Sequence, residues 1–196
     1  MSEILILFFG AVAAGLMGSL TGLGGGVIII PLLTLGFDVP VHFAIGASLI
    51  SVIGTSSGSA VAFVKEGFTN MRIGMFLEIA TTMGAIGGAL ISGYLNGNTI
   101  AIIFASLLIF TVLIGLKGKP DHQEPRIKGS LEDKLKLYGT FPDKGGIIKT
   151  YSARNTIPGF LMMSFAGIMS GLLGIGSGAL KVLAMDNIMK LPFKVS

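Results

Sequence analysis

The sequence predicts an all-α polytopic membrane protein: a transmembrane helical bundle built from a repeated four-span unit, its helices interrupted by glycine and its second unit incomplete. Three observations carry this. Of 196 residues, 52% are apolar and only 12% charged, with a mean hydropathy of +0.83, far below the roughly 25% charged residues of a soluble domain. Apolar runs near the roughly 20 residues that cross a bilayer stand at Ile4–Leu33, Val41–Val64, Ile73–Leu95, Thr99–Leu116 and Ile157–Met185. Finally, a shift of 152 positions brings Gly15, Met17, Leu20, Gly22, Gly24, Gly26 and Pro40 onto Gly167, Met169, Leu172, Gly174, Gly176, Gly178 and Pro192 without a gap.

The first run starts close to Met1, lacks a basic leader and is longer than a signal-peptide core, so it reads as a retained span. Inside it lies Gly22-Leu23-Gly24-Gly25-Gly26. Each glycine costs a helix about 1 kcal/mol relative to alanine, so the cluster predicts a break. Backbone groups freed at membrane depth are tolerated only within protein or beside a wet cavity. Gly22, Gly24, Gly25 and Gly26 are therefore candidate substrate-binding positions. The same stretch also places Gly10, Ala14, Gly18, Gly22 and Gly26 at every fourth position, a spacing that suits close helix packing, with Pro31 available to kink the far end.

In the second span Ser48, Ser51, Thr55 and Ser59 share one helix face. They either bond back to helix carbonyls or line a polar path, and Ser48 is the binding candidate among them. The third span carries Glu78, about 9 Å along the helix from Arg72. Glu78 either pairs with Arg72 or Lys65 or serves as a coupling carboxylate, because an acid inside a membrane span is a functional candidate by default. Gly84 to Ala89 in the same span reads as close packing, and Thr99–Leu116, almost free of polar atoms, as lipid-facing.

Residues 1–116 thus form a first four-span repeat, 117–155 a solvated loop, and 156–196 the start of a second repeat. Within the loop, only Leu131 to Leu137 suggests a short helix or strand. The second repeat stops where the counterpart of Val41–Val64 should begin, so a truncation by roughly three spans is expected. Basic residues crowd the connectors 65–72 and 117–155 and avoid 34–40 and 96–98. That alternation places both basic loops in the cytosol of a multi-pass cell-membrane protein. If the first run crosses once, the N-terminus is cytoplasmic and the two glycine motifs enter with the same orientation. If the glycines turn the chain back as a hairpin, the N-terminus lies outside.

Other chemistries find little support. The chain has no cysteine, which removes disulfides and thiolate metal sites. The Gly22 cluster lacks the last glycine of GxGxxG, and neither cluster continues into Gly-Lys-Ser/Thr, so nucleotide binding is not expected. His42 and His122 are far apart and have no clustered acids around them. No enzyme, metal, cofactor or nucleic-acid partner is predicted. The expected partners are a small anionic substrate and the lipid bilayer, with a homo-oligomer or a complementing chain left open.

Gly22 to Pro31, Ala44 to Leu49 and Gly67 to Arg72 together resemble the TauE/SafE sulfite exporter family, also called TSUP. The likeness covers Ile4–Leu116 and Pro158–Ser196. It implies a duplicated four-span unit that moves sulfite, sulfonates or related organic anions across the cytoplasmic membrane, coupled to an ion gradient. Two departures stand out: Ser177 replaces a glycine of the second motif, and Leu183 stands where the first copy has Pro31. Gly174, Gly176, Ser177 and Gly178 form the second half of the candidate site. A helix beginning after Gly26 or Gly178 offers unpaired N–H groups and a positive dipole end, which suit an oxyanion. Lys181, where the first copy has Ile29, either completes that site or snorkels, or pairs with Asp186. The rival readings are a non-transporting membrane scaffold, in which every glycine cluster serves packing, and a fragment that works only with a second chain.

Overall fold

Glycine decides both where the helices of this chain break and where they touch. The computed structural model describes residues 2–21, 24–65, 70–115, 137–142 and 148–191. In chain order these form α1 (Ser2–Thr21), α2 (Gly26–Gly36), α3 (Val41–Lys65), α4 (Met71–Ser92) and α5 (Gly97–Gly115). A β-hairpin follows, β1 (Tyr138–Pro142) and β2 (Ile148–Ser152), then α6 (Thr156–Leu173), α7 (Gly178–Leu183) and a π-helical turn, Ala184–Ile188. The protein is an all-α membrane bundle. By length and composition α3, α4 and α6 can cross a bilayer, while α1, α2 and α5 contribute the shorter apolar stretches Ile4–Ser19, Gly26–Gly36 and Gly97–Leu113.

The tightest packing joins α4 to α6. A Cβ at Gly84 or Gly88 would fall onto the carbonyl oxygens of Ser164 or Ile168, and one at Gly167 or Gly171 onto those of Thr81 or Ala85. Glycines four apart on each helix thus receive the backbone of the other, the small-xxx-small arrangement that lets membrane helices approach closely. Residue numbers rise together along the contact, so α4 and α6 run parallel.

Both glycine clusters reverse the chain. A Cβ at Gly10 would meet Leu32 and one at Gly18 the Gly25 backbone, so α2 folds back along α1. In the second copy the Gly159 position faces Met189, and the Arg154 N–H donates to the Met189 carbonyl at 3.0 Å, so α7 and its π turn fold back along α6. Of the two arrangements the sequence leaves open, the first run is therefore a hairpin.

The 152-residue repeat persists in the backbone. Ile29 N–H to Gly25 carbonyl in the first copy is matched by Lys181 N–H to Ser177 carbonyl in the second. Val39 N–H to Leu33 carbonyl is matched by Leu191 N–H to Met185 carbonyl. The left-handed residue that ends each returning arm is Asp38 in one (φ 50°) and Lys190 in the other (φ 52°).

The hairpins enter from opposite sides. His42 Nε2 at the start of α3 lies 3.1 Å from the Ser92 carbonyl oxygen at the end of α4, so these helices are antiparallel. The first hairpin opens toward the α3 start, because α2 ends just ahead of it. The second opens toward the α4 start, because α6 is parallel to α4.

The segment 117–155, expected to be a solvated loop, needs correction where it is described. β1 and β2 pair antiparallel, Tyr138 opposite Ser152 and Pro142 opposite Ile148. Leu137, Tyr151 and Ala153 are buried in one cluster with Ile73, Met163 and Met189. Asn70 anchors this cap. Its side chain accepts from the Arg72 and Ile73 N–H groups at the start of α4 and donates to the Tyr138 carbonyl and the Tyr151 hydroxyl. Of the stretch Leu131 to Leu137, all but Leu137 lies outside the described residues.

Candidate functional site

The hydroxyl face of α3 brings the two glycine turns together. Ser48 is fully buried, and its hydroxyl donates to the Gly174 carbonyl at 2.5 Å instead of bonding back to its own helix. Gly26, the first residue of α2, closes the gap. A Cβ there would lie 2.5 Å from Ser48 Oγ, 2.7 Å from the Gly174 oxygen and 2.9 Å from Ile175 Cα. The start of α2 therefore rests against the second turn with no room for a side chain. Two helical turns further along α3, Thr55 Oγ1 lies 3.2 Å from the Gly24 carbonyl, and 3.0 and 3.1 Å from those of Ser51 and Val52. At 1.5 Å per residue, Ser48 and Thr55 stand about 10 and about 21 Å from the start of α3, so both turns meet its interior.

The turns differ in detail. Gly24 and Gly25 are both left-handed (φ 72° and 80°), and a Cβ at Gly25 would press on the Ala14 carbonyl at 2.8 Å. In the second turn Gly174 and Gly176 are left-handed (φ 69° and 74°), but Ser177 sits at φ −90°, ψ 1°, a turn conformation open to L-residues. The serine is thus accommodated where the repeat leads one to expect glycine. Gly178 opens α7. Gly22 lies outside the described residues, as does the side chain of Ser59.

The two charged candidates, assigned separately in sequence, find each other. Lys181 Nζ lies 2.7 Å from Glu78 Oε2, with 29% and 59% of the two side chains exposed. The local partners considered for them, Arg72 or Lys65 for Glu78 and Asp186 for Lys181, are replaced by one ion pair spanning 103 residues of sequence. The pair joins α4 of the first unit to the first turn of α7 in the second. Asp186 is itself 4% exposed in the π turn, where the first copy has Thr34. Among the described residues no three His, Asp or Glu side chains converge as a metal site would require.

Chemically, the region gathers backbone polar groups of two interrupted helices, a buried hydroxyl, the first-turn amides of α2 and one ammonium. The first N–H groups of a helix have no carbonyl ahead of them, and the dipole there is positive. Unpaired first-turn amides suit an oxyanion, while the Gly24 and Gly174 carbonyls face hydroxyls and the ammonium is paired with Glu78. Sequence reasoning missed the Thr55 bond to the first turn, although its place on the hydroxyl face marked it, and it missed the pairing of Glu78 with Lys181.

Comparison with known proteins agrees with this architecture. Residues 7–196 match the family described as sulfite exporter TauE/SafE. The probable membrane transporter protein YunE of Bacillus subtilis is 32% identical over 206 residues, covering 100% of this chain and 71% of YunE. YdhB of the same organism, also a probable membrane transporter protein, is 26% identical over 174 residues, 89% of this chain and 61% of YdhB. A probable membrane transporter protein of Methanocaldococcus jannaschii is 28% identical over 179 residues, 87% of this chain and 58% of its own length. The chain thus spans about six- to seven-tenths of these relatives. No solved structure matches it.

Proposed function

Because the chain belongs to the sulfite exporter TauE/SafE family, we propose that it carries a small oxyanion, sulfite or a sulfonate, past its two glycine turns, coupled to an ion gradient. Membership makes it a membrane-transport protein and not an enzyme. The observation that carries the finer reading is the contact of Gly26 with Ser48 and Gly174, by which hairpins entering from opposite sides abut within the bundle. Inverted repeats whose broken helices meet inside the membrane are the arrangement in which secondary carriers hold their cargo.

In this reading the backbones of Gly24, Gly25 and Gly26, and of Gly174, Gly176, Ser177 and Gly178, line the path. Ser48 supplies a hydroxyl, Lys181 a cation, and Glu78 the coupling carboxylate. The basic connectors 65–72 and 117–155 face the cytosol, which puts the N-terminus on the opposite side.

The test is flux of sulfite, thiosulfate, sulfoacetate and taurine in proteoliposomes holding the purified chain. At least one should move faster than in empty vesicles, and Ser48→Ala should reduce that flux about tenfold per folded molecule. Flux absent for all four would favour the scaffold, in which these glycines serve packing as those of α4 and α6 do; flux unchanged in Ser48→Ala would remove Ser48 from the path.

A further inference from the structure

The ion pair between Lys181 and Glu78 joins the two repeat units at the first turn of the second hairpin's returning arm. Helices α4 and α6 are locked, since each places backbone carbonyls where a side chain of the other would start. The returning arm, α7 with its π turn, is attached differently. It joins α6 through Gly174 to Ser177, a turn with two left-handed glycines. Its far end is held by the Arg154 N–H on the Met189 carbonyl at 3.0 Å, by Asn155 Nδ2 on the Ile188 carbonyl at 3.2 Å, and by the buried Met189 and Leu191. Its nearer part buries Leu180, and Ala184 and Met185 share a cluster with Ile73, Leu77 and Ala80 of α4, while the polar tie of its first turn to α4 is Lys181 with Glu78, 2.7 Å apart.

The hairpin does not require that charge to form. The first copy builds the equivalent reversal and first helical turn with Ile29 at this position, 7% exposed and uncharged. A lysine here instead places a mobile ammonium, three donors on a four-carbon stem, one turn beyond the glycine turn. A carboxylate beside it has the charge and acceptor chemistry of the oxyanion the site is read to carry. An ammonium among membrane helices is costly without a counter-charge.

We propose that Glu78 occupies Lys181 while the site is empty, and that the transported oxyanion takes its place. The exchange releases the polar tether between the first turn of α7 and α4 and leaves the apolar packing of the arm in place, so that binding and release of the tether are one event. The proposal rests on the carrier reading above and adds to it the identity of the internal competitor. It makes Glu78 a residue that opposes anion binding and Lys181 one that supports it, a pair of opposite effects that a merely structural bridge does not produce.

The experiment uses the purified chain in proteoliposomes with sulfite as probe, reading initial rates against concentration, together with the shift in melting temperature that sulfite causes. Glu78→Gln removes the competitor and should lower KM about tenfold, while kcat falls because the coupling carboxylate is lost with it. Lys181→Gln should raise KM at least tenfold, while Lys181→Arg should keep it near wild type. Exchanging the two residues, Glu78→Lys with Lys181→Glu, rebuilds the bridge and should restore melting temperature without sulfite, yet neither flux nor the sulfite-induced shift. Wild-type KM in the exchanged protein, or an unaltered KM in Glu78→Gln, would overturn the sharing and leave the carrier intact. Failure of the wild type to bind or move sulfite, thiosulfate, sulfoacetate and taurine alike would remove both.

Discussion

The two hairpins are drawn on one backbone pattern and differ in what surrounds it. In the first, α1 buries only Ala14 and Gly18 among the residues whose burial is described, the described part of its turn is two left-handed glycines, and α2 carries no charge. In the second, α6 buries eight residues, among them Gly159, Gly167 and Gly171, because α4 packs along it and its own returning arm folds onto Gly159. Its returning arm carries Lys181 for Ile29 and Asp186 for Thr34, and ends in a π turn where the first continues as α-helix. π turns inside helices recur at functional sites. The difference teaches that repetition supplies the frame, a reversal at glycine inside the bundle, while the charged groups are added to one copy only.

The sharpest way to break this comparison uses one position of the repeat twice. Gly15 and Gly167 correspond, yet a Cβ at Gly15 would make an ordinary 3.5 Å contact with Thr55 Cγ2, whereas at Gly167 it would land on the Thr81 carbonyl. Gly167→Ala should part α6 from α4 and cost at least about 3 kcal/mol, visible as loss of monodisperse protein in detergent. Gly15→Ala should be neutral, or stabilise by up to about 1 kcal/mol. Similar losses at both sites would mean that the hairpins are packed alike.

Much of this frame was legible in the chain itself. The glycines and the paired prolines at 40 and 192 expose the repeat, and the hydroxyl spacing on α3 marks Ser48. The direction of the first run was not legible, because a run of glycine ends a helix equally well whether the chain then continues or reverses. The left-handed ends at Asp38 and Lys190 carry no glycine to signal them. The Glu78–Lys181 pair was hidden for a topological reason: sequence shows only neighbours along one helix, and this partner arrives through the parallel docking of α6 on α4. The β-hairpin was masked by charge around it, although Asn70, an amide side chain just ahead of an apolar run, is a readable helix cap.

A smaller effect tests the two turns. Gly25 and Ser177 correspond, one at φ 80° and the other at φ −90°. Gly25→Ser imposes a left-handed conformation on an L-residue and pushes its Cβ toward Ala14, so it should cost about 2 kcal/mol in thermal unfolding. Ser177→Gly should cost no more than about 1 kcal/mol, through added freedom of the unfolded chain. Equal costs would show that the second turn is as constrained as the first, against the dihedral angles observed.

The smallest expected effect concerns the cap that the second hairpin possesses and for which the described part of the first has no counterpart. Tyr151 is buried against Ile73 and Met189, and burial pushes its phenol above the usual value of 10.0, a shift that the Asn70 bond partly offsets. The folded state therefore holds the proton more tightly than the unfolded chain does. This contribution is fully present below about pH 10, the unfolded pKa, and is lost as pH rises toward the higher folded value. The melting temperature should accordingly fall on the alkaline side of pH 10, together with the appearance of phenolate absorbance. Tyr151→Phe removes the titrating group and should flatten that alkaline fall, at a cost of about 1 kcal/mol for the lost bond to Asn70. An alkaline fall of the same size in Tyr151→Phe would assign it to another group and leave the docking of the cap independent of this hydroxyl.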